Sequence, residues 1–98
     1  MIHLICYDIT SDKIRTRIAK RLIAEGFERI QYSVFVAAMD PRFNTALLSD
    51  LRTWVATEKT AKLFLFKLSI EQFKNMIILG ETGCDIDFII GTKNSIFI

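Results

Sequence analysis

The chain has 98 residues, 51% of them hydrophobic, with one proline and four glycines; that excludes a disordered, collagen-like or linker-rich chain and leaves a single globular domain over 1–98. Thirteen basic against eleven acidic residues give a net charge of +2, too small a total to mark a nucleic-acid binder. No apolar run approaches a membrane span, and the run that opens the chain is short and lacks a basic lead-in, so a cytoplasmic protein with no membrane partner is expected.

Residues 2–9 (IHLICYDI) are β-branched and aromatic without clean alternation, the pattern of a central strand covered on both faces. Thr10, Ser11 and Asp12 offer N-caps and Gly26 a stop, which predicts a helix over 12–25 with Ile14, Ile18, Leu22 and Ile23 on its apolar side. Residues 27–39 predict two short strands folded on each other, bending near Tyr32 and Ser33. Asp40 as cap and Pro41 in the first helical position predict a second helix, whose apolar stripe holds Phe43, Leu47, Leu48, Leu51, Trp54 and Val55. Residues 62–68 (KLFLFKL) predict a fourth strand. The resulting order, βαββαβ, is the ferredoxin-like plan, an α+β fold in which two helices cover one face of a four-stranded antiparallel sheet.

That plan is complete by Leu68. Beyond it, Ser69 and Gln72 stand at capping-box spacing, and apolar stretches follow at 76–79, 86–90 and 95–98. Strands this apolar after a finished domain are expected to pair with a sheet edge, which makes 81–98 a C-terminal extension engaged in dimerisation. The sheet face left bare by the helices, under a first strand apolar on both sides, points to a symmetric homodimer; a tail folded back over its own sheet is the alternative.

Asp8 ends the first strand with the parity of Ile2, Leu4 and Cys6 and so leaves on the face assigned to the partner. A carboxylate there either finds a cation or a donor, or caps the following turn through Thr10 and Ser11. Two copies of Asp8 facing each other across a dimer axis make a Mg²⁺ site, because Mg²⁺ commonly takes one or two carboxylates and otherwise waters and phosphates. On the first helix Lys13, Arg17, Lys20 and Arg21 share a stripe of about 100° opposite Ile18 and Leu22. The stripe either faces nucleic-acid phosphates or is an ordinary solvated face. Arg15 projects among the apolar positions, where it reaches Asp8 or a phosphate or snorkels to the helix edge.

The remaining candidates are structural. His3 is a lone histidine in a strand, and without a C-x-x-C motif it argues against zinc and against a nucleophilic triad. Cys6 and Cys84 are expected as thiols, Cys84 in a loop. Gly80 and Gly83 bracket a turn unlike a phosphate loop. Trp54 and the phenylalanines are expected in the core, which leaves no aromatic stacking platform for bases.

Taken together, Tyr7-Asp8-Ile9, the basic helix running to Gly26, the segment Arg29-Ile30-Gln31-Tyr32-Ser33-Val34-Phe35 and Ile78-Leu79-Gly80 resemble the small CRISPR-associated protein family Cas2, in order and over nearly the whole chain. The resemblance implies a ferredoxin-like homodimer whose C-terminal strand completes the partner's sheet, and which bridges two dimers of the CRISPR integrase during spacer acquisition. It also implies a metal-dependent endonuclease on single-stranded RNA or double-stranded DNA, with Asp8 from both subunits as catalytic residue and Mg²⁺ ligand. Tyr7, Arg29, Gln31, Ser33 and Phe35 are further motif positions, and Ile14 stands where members often carry a second arginine beside Arg15. The virulence-associated toxin ribonucleases share a strand ending in Asp and an RIQ-like segment; Tyr32 and Ser33-Val34-Phe35 favour the CRISPR family. Two functions follow, a DNA-holding adaptor without catalysis or a phosphodiesterase.

Overall fold

A computed structural model of the chain describes residues 1–77, 79 and 80. The first strand, β1 (Ile2–Asp8), lies inside the sheet, paired antiparallel to β3 (Val34–Ala37) on one side and to β4 (Lys62–Leu68) on the other. With β2 (Glu28–Gln31) at the far edge the strand order is β2-β3-β1-β4, all antiparallel, the ferredoxin-like arrangement. The unbroken apolar run of β1 follows from this central place. Ile5 and Tyr7 turn into the core beneath α1 (Asp12–Ala24) and α2 (Thr45–Ala56), while Ile2 and Leu4 face the other side.

Ser11 caps α1, its hydroxyl accepting from the Ile14 amide at 3.3 Å. Gly26 stops the helix at φ 93°, a left-handed conformation that a residue with a Cβ rarely adopts. Ile18 and Leu22 are fully buried against Leu47 and Leu51 of α2. The second helix starts later than its sequence suggests. Asp40 caps only a 3-10 turn, Pro41–Phe43, and Asn44 then caps α2 through a 3.0 Å hydrogen bond from the Leu47 amide. Phe43, expected in the apolar stripe, is thereby carried out of the helix and left exposed, and Trp54 is only half-buried. The side-chain amide of Asn44 also donates its Nδ2 hydrogen to Glu25 at 3.0 Å, tying the end of α1 to the start of α2.

The sheet face away from the two helices is not bare. Ser69 and Gln72 form the expected capping box and open a short helix, α3 (Ile70–Lys74), which sets Phe73 on Ile2 and Val36. Phe64 and Phe66, expected in the core, remain about half-exposed on the same face. Met76, Ile77 and Leu79 belong to no regular element and are exposed; the stretches at 86–90 and 95–98, Gly83 and Cys84 lie outside the described residues. His3 is buried on the helix side, its Nδ1 4.0 Å from Asp40, and burial pushes its pKa down against the pull of that carboxylate. Hydrogen bonds from Arg42 hold Asp40 well below the usual carboxylate range. Among the described residues no helix is long and apolar enough to cross a membrane.

Candidate functional site

The chain leaves β1 at Asp8 and enters α1 within a few residues, and the turn between them is held from a distance. The Thr10 and Ser11 amides donate to the two carboxylate oxygens of Glu58, each at 3.2 Å. Glu58 follows the end of α2 and is far away in sequence, so nothing near the turn announces it. This clamp takes over the capping role open to Asp8. Among the described residues no hydrogen bond or ion pair engages the Asp8 carboxylate, which is exposed.

Asp8 stands in a cleft of about 720 Å³ formed by the end of β1, one side of α1 and the β2–β3 turn, where Arg15, Lys20, Arg29 and Tyr32 also line the wall. Arg15 does not reach Asp8. Its Nη1 donates to the Ile9 carbonyl at 2.9 Å and the Thr10 carbonyl at 3.2 Å, and it pairs with Asp12. The carbonyls of the β1–α1 turn have claimed it instead.

The basic stripe of α1 is divided by the packing of α2. Arg21 is bound to Glu25 at 3.0 Å and to Asp50, and the Arg17 guanidinium lies 5.7 Å from the Trp54 ring centre. Lys13 and Lys20 are exposed and free of ion pairs among the described residues, and Lys20 faces the cleft. The five basic candidates therefore separate into two free lysines, Arg17 resting on a ring, and two arginines, Arg15 and Arg21, held by the fold.

Across the cleft, three donors converge on one backbone oxygen. The Tyr32 carbonyl accepts from the Tyr7 hydroxyl at 3.1 Å, from Arg29 Nε at 3.1 Å and from Arg29 Nη2 at 2.6 Å. The Tyr7 amide adds a 3.1 Å bond to the Ser33 carbonyl, so the β2–β3 turn is fastened to the end of β1. Burial pushes the Tyr7 pKa up against the opposing pull of Arg29, which keeps the phenol a donor. The Arg29 guanidinium sits 5.5 Å from the Tyr32 ring centre and 5.2 Å from that of Phe35, and Phe35 stacks on Tyr7 at 6.2 Å. Tyr7, Arg29, Ser33 and Phe35 are thus brought together as the framework of one wall; Gln31 is exposed at the end of β2. Periodicity had no means of showing this column, although an arginine with aromatic residues three and six positions on was visible in the sequence.

Among the described residues no three His, Cys, Asp or Glu side chains gather to hold a metal. A single unengaged carboxylate still fits Mg²⁺, a hard cation often bound through one or two carboxylates and otherwise by water and phosphate oxygens. The thiol of Cys6 is partly buried, and burial pushes its pKa up, away from reactivity.

The family model described as CRISPR associated protein Cas2 matches residues 1–76. A CRISPR-associated endoribonuclease Cas2 of Archaeoglobus fulgidus is 30% identical over 86 residues, covering 88% of this chain and 90% of that relative. Another, from Pyrobaculum aerophilum, is 52% identical over 48 residues, 49% of this chain and 48% of the relative. Among solved structures, Cas2 of Streptococcus pyogenes superposes with a TM-score of 0.67 at 22% identity, covering 82% of this chain and all of that one. A Thermus thermophilus protein gives 0.65 at 24% identity, covering 85% and 94%. At these identities the two structures speak for the shared fold.

Proposed function

Because the chain belongs to the CRISPR-associated Cas2 family, we propose that it acts in CRISPR adaptation as a homodimer that binds nucleic acid beside the CRISPR integrase, and that it cleaves phosphodiester bonds with Mg²⁺ held by Asp8. The observation that carries the site is the exposed Asp8 carboxylate, freed of its turn by Glu58 and standing in a cleft with Lys20. The relatives named above as endoribonucleases support a nuclease reading with RNA as substrate. Asp8 is the ligand this chain offers, and a second copy in the dimer supplies its own. When bound, Mg²⁺ polarises a phosphoryl oxygen and neutralises charge that builds in the transition state. Lys20 draws the phosphate backbone into the cleft, and the turn around Tyr32 walls it in.

A second reading, an adaptor that holds duplex DNA without cutting it, is favoured by the small acid count: among the described residues the cleft holds only Asp8 and an Asp12 already paired with Arg15, too few carboxylates for a two-metal site. Asp8→Asn separates the two. It keeps the shape of the side chain and removes the charge that holds the metal. In assays on single-stranded RNA and duplex DNA, with Mg²⁺ and with EDTA, wild-type cleavage is expected to need Mg²⁺ and to fall to background in Asp8→Asn, while binding survives. Metal-dependent cleavage that persists in the variant removes Asp8 from the site; no cleavage by wild type on either substrate leaves the adaptor.

A further inference from the structure

The cleft wall opposite α1 ends in a side chain whose backbone the fold ties down and whose ring it leaves uncovered. Tyr32 is 85% exposed, while its own carbonyl is fixed by the Tyr7 hydroxyl and by two donors of Arg29. Behind its ring the stack is continuous: the Arg29 guanidinium, then Phe35, then Tyr7, at 5.5, 5.2 and 6.2 Å. The guanidinium engages one part of the ring, and 85% of the residue is still left to solvent. An exposed tyrosine on a loose loop would carry no such meaning. Here the turn is tied to β1 by the bonds to the Tyr32 and Ser33 carbonyls, so little backbone freedom is lost when a ligand stacks there.

We propose that Tyr32 is a stacking platform for an unpaired nucleobase of a strand whose phosphates run past Lys20 and Asp8. The inference rests on the nucleic-acid reading of the cleft and adds to it a preference for single-stranded over duplex segments. Only an unpaired base offers its face freely to a protein ring, and such stacking tolerates any base because every base has a π-face.

The test measures binding of single-stranded oligonucleotides, as oligo(U) and oligo(dT), and of a blunt duplex, without metal. Tyr32→Ala is expected to weaken binding of single strands about 5- to 150-fold, to weaken duplex binding far less, and to leave the salt slope unchanged because no charge is removed. Tyr32→Phe restores single-strand binding and Tyr32→Leu does not. A single abasic nucleotide at the contacted position weakens wild-type binding and adds nothing to the loss in Tyr32→Ala. A response confined to oligo(U) or to oligo(dT) identifies the strand as RNA or DNA. Unchanged single-strand binding in Tyr32→Ala, an equal loss on duplex, or rescue by leucine overturns the platform while the cleft reading stands. A wild type that binds neither strand nor duplex overturns both.

Discussion

A cation serves a phosphate best when no other group on the protein already holds it. By that criterion the basic residues of α1 are unequal. Lys20 is exposed and lines the Asp8 cleft, whereas Arg21 is tied to Glu25 and Asp50 between the two helices. Lys20→Gln is expected to lower affinity for duplex and single strands alike and to reduce the log–log salt slope on duplex by about 0.9, one phosphate contact. Arg21→Gln should leave that slope in place and lower the melting temperature instead, because it strips two carboxylates of their partner. Salt titrations of both variants check the pair, and a slope that falls equally in each would mean that the whole stripe faces the phosphates.

Helices and strands of this chain owe their ends to local chemistry and their faces to what lies across from them. The capping box at Ser69 makes α3 legible, yet a five-residue helix has little stability of its own, and Phe73 is what attaches it to the sheet. Phe73 is completely buried, so Phe73→Ala leaves a cavity and is expected to cost about 3–5 kcal/mol in urea unfolding. Phe43 carries the same side chain at a position that looked equally apolar in sequence and is 86% exposed. Phe43→Ala should therefore stay within about 0.5 kcal/mol of wild type. The contrast arises at Asn44, which starts a new helix and rotates Phe43 out of the stripe.

For the molecule as a whole, α3 shields one end of the sheet's second face and leaves Phe64 and Phe66 each 49% exposed on β4, an edge strand in this sheet. Apolar surface next to a strand edge left unpaired among the described residues is where a second copy is expected. Light scattering should return twice the chain mass of 11.3 kDa, and Phe66→Lys should shift the protein toward monomer. A wild type that is monomeric at micromolar concentration would refute the homodimer. The element order, an N-cap among Thr10, Ser11 and Asp12, the cap at Ser69, the stop at Gly26 and the parity that sets Asp8 beside Leu4 and Cys6 were all readable from the chain, because each depends on residues within a turn or a strand of one another. The clamp of Glu58 on the β1–α1 turn, the division of the basic stripe and the convergence of Tyr7 and Arg29 on Tyr32 were not. They join side chains to backbone or to other side chains as many as 48 positions apart, and whether such groups meet is settled by how helices stack on the sheet and how β2–β3 folds beside β1, geometry that no local period encodes.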